Sequence, residues 1–155
     1  MIKFKTLLFI IAIPFTGNAN TPLLLDSLEK EKDSSKKLEI LLAITETCEI
    51  DQISFYANRL LHKSDSLYNL KEINENQFNS YKAYAYNNLG FMYKNQGVAD
   101  KALENFYLSL SLSSQLKDSV GMADTYTNLG STYQQQQDIK SADKFFLKAL
   151  DIYKK

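Results

Sequence analysis

One cysteine, one histidine, no tryptophan, two prolines and five glycines are scattered through 155 residues. Each scarcity excludes something. The lone Cys48 has no internal disulfide partner, and its place in an apolar pattern (Leu41, Leu42, Ile44, Cys48) reads as a buried thiol rather than a reactive one. Metal sites need clustered His, Cys or carboxylates at ligand spacing. The one imidazole, His62, lies 62 − 48 = 14 residues from Cys48 on a different predicted helix. It follows Leu60-Leu61 and reads as a surface histidine. Nucleophilic catalysis needs a base beside the nucleophile. No G-x-S-x-G and no glycine-rich phosphate loop is present, so the chain reads as a non-enzyme without cofactor or metal. Eighteen basic residues balance eighteen acidic ones, which disfavours a nucleic-acid partner. Few prolines and glycines disfavour a sandwich of short strands.

Long apolar runs are also missing, except at the start. Lys3 and Lys5 precede the short run Leu7 to Phe15, and Gly17-Asn18-Ala19 supplies small residues before a cut after Ala19. This is the layout of a secretory signal peptide, and the run is short of the about 20 apolar residues of a membrane span. Residues 1–19 are therefore expected to be removed, leaving 16 basic against 18 acidic residues and a periplasmic or secreted product with no membrane span.

What is present is a repetition. Tyr86-Asn87-Asn88-Leu89-Gly90-Phe91-Met92-Tyr93 returns as Tyr126-Thr127-Asn128-Leu129-Gly130-Ser131-Thr132-Tyr133, an offset of 129 − 89 = 40 residues. Ala102 and Phe106 return as Ala142 and Phe146 at the same offset. A fixed period of this size means stacked supersecondary units. Tyr86, Leu89, Gly90 and Tyr93 fall at i, i+3, i+4 and i+7, one stripe of a helix. The unit is thus a helical hairpin, and the fold is an all-α solenoid of about six helices in three antiparallel hairpins. The small residues Gly90, Ala102, Gly130 and Ala142 are expected where paired helices approach closely. Phe106 and Phe146 are expected to fill the space between successive hairpins.

Taken in order, residues 20–35 form a leading segment or short helix. Asp33-Ser34-Ser35 supplies a helix start. Residues 36–76 form a degenerate first hairpin, with Leu38, Leu41, Leu42 and Thr45 on its first helix and Phe55, Leu60, Leu61 and Leu67 on its second. Asp51 is expected to cap the second. Residues 77–117 and 118–155 are the two clear repeats, with helix stops and starts at Gly97, Asp118 and Asp138. Leu147, Leu150, Ile152 and Tyr153 predict an exposed apolar strip on the last helix, a mark of association.

These residues resemble the tetratricopeptide repeat (TPR). That family places a large aromatic, Leu, Gly and Tyr on its first helix and Ala, an aromatic and Ala on its second. The second hairpin departs at Ser109, where alanine is usual; the third keeps Ala149. The longer unit with Asn-Leu-Gly is similar to repeats in kinesin light chains and in bacterial signalling proteins. The resemblance implies a right-handed solenoid that binds a protein or peptide on its concave surface. With the leading signal segment, it also implies the input region of a bacterial signalling system. The alternative is a scaffold that self-associates, as a homo-oligomer, through the C-terminal hairpin.

In such arrays the first helix of each hairpin lines the groove. The stripe beside the core is Tyr84, Asn88, Phe91 and Asn95, with Asp124, Asn128, Ser131 and Gln135 as its repeat-mates. Asn88 and Asn128 stand out, because a side-chain amide offers both a donor and an acceptor to an extended backbone.

Overall fold

In the computed structural model the described residues are 20–154, and the expected signal segment, residues 1–19, lies outside them. Seven helices are found among the described residues: α1 (Thr21–Lys30), α2 (Ser34–Thr47), α3 (Ile53–Asn69), α4 (Glu75–Asn95), α5 (Ala99–Leu116), α6 (Ser119–Gln135) and α7 (Ile139–Tyr153). No strand occurs among them. The helices pair as α2 with α3, α4 with α5 and α6 with α7, and α1 leans on α2.

Local chemistry sets most of the helix ends. Asp33 accepts from Lys36 N at 2.9 Å, Asp118 from Gly121 N at 3.0 Å and Asp138 from Ser141 N at 3.1 Å. Each supplies an acceptor to a first-turn amide that has no partner inside its helix. Asn74 and Gln77 close a reciprocal capping box, so α4 begins at Glu75, two residues before the sequence suggested. Asp51 is not a cap. The residue before α3 is Gln52, in helical conformation and without a side-chain cap bond, because a tight turn after α2 runs straight into the helix. Gly97 stops α4 at φ +74°, a left-handed conformation that costs glycine little. Its repeat-mate Gln137 adopts φ +63° with a side chain in place.

Curvature follows from which helices meet. The first helices touch along a row, α2 with α4 and α4 with α6. No such contact joins α3 to α5 or α5 to α7. The first helices therefore form an inner, concave row and the second helices an outer one. One core gathers Leu38, Leu41, Ile44, Leu60, Leu67 and Leu89 among others, and a second gathers Ala102, Phe106, Leu129 and Phe145, with Tyr93 packed against both. Phe55 belongs to neither. It is 63% exposed, because it stands two residues before the buried Ala57 and points to the other side of α3.

The phenylalanines also correct an expectation. A Cβ built on Gly90 would lie 2.6 Å from the Phe106 ring, and one on Gly130 would lie 2.7 Å from the Phe146 ring. Each ring thus sits first on the glycine of its own hairpin, and only Phe106 also reaches the next hairpin, in the core it shares with Leu129 and Phe145. The two differ in cover. Phe106 is fully buried with α6 beside its helix, whereas Phe146 is half-buried.

Helix propensity alone favours Gly→Ala by ~1 kcal/mol, but overpacking a closed core costs ~1–3 kcal/mol. Gly90→Ala should therefore lose up to about 2 kcal/mol in urea denaturation, because Phe106 has nowhere to go. Gly130→Ala should be nearly neutral, because Phe146 can swing outward. Equal effects of the two substitutions would contradict this packing.

Candidate functional site

The concave row carries a cleft of about 300 Å³, lined by Thr45 and Glu46 of α2, Cys48 and Ile50 of the following turn, Ile53 of α3, Asn87, Asn88 and Phe91 of α4, and Asn128 of α6. Thr45 and Ile53 are buried and form the floor, while Glu46, Ile50 and Phe91 are exposed at the rim. Asn88, Phe91 and Asn128 are the sequence-derived candidates that meet here.

The two asparagines are repeat-mates but are not equivalent. Asn128 Nδ2 donates to Asn87 Oδ1 at 3.1 Å. Thr125 Oγ1 gives its one proton to Gly121 O at 2.7 Å, stands 3.5 Å from Asn87 Oδ1, and accepts from Ser109 Oγ of α5 at 3.2 Å. The bond to Asn87 therefore ties α6 to α4 and holds Asn128 in place. Asn88 has no such tie: its Nδ2 is buried with no hydrogen-bond partner. Buried polar atoms are normally paired, so each orphan needs a reason.

The remaining candidates are placed elsewhere. Tyr84 OH donates to Asp118 Oδ2 at 3.3 Å, which draws the ring toward the cap of α6. Burial, and then the Asp118 carboxylate, push its phenol above the usual range. Asp124 accepts from Tyr153 OH at 2.8 Å, tying α6 to α7. Tyr84 and Asp124 share a small polar void of about 10 Å³ with Ser109, Ser113 and Thr125. Asn95 Nδ2 donates to its own helix, at Phe91 O. Neither Asn95, Ser131 nor Gln135 lines the cleft. Sequence reasoning missed Asn87, Thr45, Glu46, Ile50 and Ile53. The doubled asparagine at 87 and 88 was the visible signal for the first of these.

Electrostatics give the cleft a character. Glu46 stays accessible at the rim, yet withdrawal of water by the cleft walls raises its pKa, and the Asp124 carboxylate adds to the rise. Lys94 lies 4.8 Å from the centre of the Phe91 ring, where burial lowers its pKa. Cys48 is half-buried, and its thiol is pushed up to about 11, chiefly by burial. His62 is exposed on α3, away from this cleft. Among the described residues no group of three or more His, Cys, Asp or Glu is placed to hold a metal ion. No described helix is long and apolar enough to cross a membrane.

The architecture is thus a solenoid of helical hairpins with a lined concave face. A tetratricopeptide repeat family model matches residues 81–155, which run from α4 to the end of the chain. Over this stretch the chain is similar to the tetratricopeptide repeat family, whose repeats generally mediate protein–protein interactions. Neither the curated proteins nor the solved structures contain a match.

Burial disfavours the thiolate, so native Cys48 should alkylate slowly. With iodoacetamide at pH 8, labelling should be roughly 50-fold or more slower than in the urea-unfolded chain, where an ordinary thiol near pKa 8.5 is partly ionised. Equal rates would place Cys48 outside the cleft wall.

Proposed function

We propose that this chain is a non-catalytic interaction module that holds an extended peptide or protein segment in the concave cleft. In this reading it serves as the input region of a bacterial signalling system, in the periplasm or outside the cell. One observation carries the binding part: the buried, unpartnered Nδ2 of Asn88. A donor left unpaired costs ~1–3 kcal/mol, and turning the Asn88 amide toward a backbone carbonyl laid in the cleft would relieve that cost. Phe91 and Ile50 offer apolar contact beside it, so a peptide side chain can be taken up next to the bonded carbonyl. The export part rests on the signal-like order of residues 1–19.

The test uses peptides selected from an extended-peptide display library against the wild-type chain. Asn88→Ala should leave the free chain at least as stable as the wild type, by up to ~1–3 kcal/mol more, since it removes an unpaired donor and no bond, while weakening the selected peptides roughly tenfold. Asn128→Ala should instead cost ~1 kcal/mol of stability, because it strips the donor from Asn87. Peptides that bind both variants as tightly as the wild type would overturn the groove reading.

A second reading, self-association through the last hairpin, has its own observation. Leu110 of α5 packs against the core beside α6, whereas its repeat-mate Leu150 on α7 is 44% exposed and nearby Leu147 is 60% exposed. Concentration-dependent association in sedimentation velocity, abolished by Leu150→Glu, would support this assembly. A monomer at every concentration would contradict it.

A further inference from the structure

We propose that a second site, on the side of the first hairpin away from the concave cleft, binds a phosphate-type oxyanion. It does not depend on the peptide reading. The site is a cleft of about 310 Å³ between α1, α2 and α3, lined by Leu28, Lys37, Leu41, Arg59, His62 and Lys63. Four of its six lining residues are basic and none is a carboxylate. In a chain whose charges balance, that is a strong local excess. Arg59 is the sole arginine of the sequence and His62 the sole histidine, and both face this one cleft.

The spacing explains the convergence. Arg59, His62 and Lys63 stand at i, i+3 and i+4 on α3, so they share one helix face. Arg59 and Lys63 are like charges at a spacing where they repel, which an anion between them would reverse. Lys37 approaches from α2. On that helix Lys37 and Glu46 are nine residues apart, which turns them about 180° from each other at 3.6 residues per turn. The basic cleft and the concave cleft with its Glu46 rim therefore face opposite ways.

The donor set defines the ligand. A guanidinium offers a planar fork that grips two oxygens of one group, and the ammonium groups and imidazole add donors around it. Three or more donors converging on one centre suit a tetrahedral phosphoryl group better than a planar carboxylate. The cleft is larger than a bare ion requires and lies in the range of small-molecule sites. Leu28 and Leu41 supply an apolar wall, and an adjoining depression shares Arg59 and His62 and adds the exposed Phe55, with Asp51 at its far end. A phosphate monoester with an apolar organic part therefore fits better than the free ion.

The experiment titrates the full chain with inorganic phosphate and with phenyl phosphate, each against sodium chloride at the same ionic strength, followed by backbone amide NMR shifts. Saturable shifts confined to α3 and the start of α2 are expected, and Arg59→Gln and Lys37→Gln should each weaken them roughly tenfold. Arg59 is exposed and Lys37 half-buried, and glutamine keeps most of each side chain's length, so the variants should fold. Tighter binding of phenyl phosphate identifies an organic phosphate as the ligand class, and equal binding identifies the ion itself. Shifts matched by chloride, spread over lysines elsewhere, or unchanged in Arg59→Gln would overturn the proposal.

Discussion

The seating of a phenylalanine ring on a helical glycine holds each hairpin of the repeated region together. At Gly90 the Phe106 ring, and at Gly130 the Phe146 ring, occupies the space a Cβ would take. The fully buried Phe106 contributes on the order of 1.5–3 kcal/mol from removal of its ring from water. That gain outweighs the ~1 kcal/mol a mid-helix glycine costs against alanine. Because the contact recurs at a 40-residue offset, the hairpins share one internal geometry and stack as near copies.

The concave face is a consequence. With each hairpin clasped, its second helix packs on the first helix of the next unit, and among like helices only the first ones touch, so α2, α4 and α6 form a continuous inner row. Polar side chains on that row then meet. Asn128 joins Asn87, Thr125 joins Ser109, and Asp118 both caps α6 and accepts from Tyr84. These bonds stiffen the row, and Asn88 is left inside it with a buried donor unmatched. Gly121 has a related role. A Cβ there would meet Asp118 and Ser113, so its bareness lets α5 and α6 close around the cap.

Much of this was legible in the sequence, for physical reasons that also mark where legibility ends. The Leu-Gly and Ala-Phe spacing shows because both copies must satisfy the same contact. Gly97, Asp118 and Asp138 mark helix ends because capping is local chemistry. Periodicity names a face but not every partner, so Phe106 was expected between hairpins, where it meets Leu129 and Phe145, while its seat on Gly90 of its own hairpin went unseen. Tyr84 lies on the correct stripe, but a tertiary hydrogen bond to Asp118 takes it out of the cleft. Thr45, Glu46, Ile50 and Ile53 went unseen because the first hairpin lacks the repeat's Asn-Leu-Gly and leaves no register to carry across. Asp51 failed as a cap because the turn after α2 is too tight for a capped start.

The ring-on-glycine clasp is open to direct observation by NMR. Strong nuclear Overhauser contacts from the Gly90 Hα protons to the Phe106 ring, mirrored by Gly130 and Phe146, are the predicted result. A Phe106 ring that reports contacts only to α6, with none to Gly90, would contradict the account.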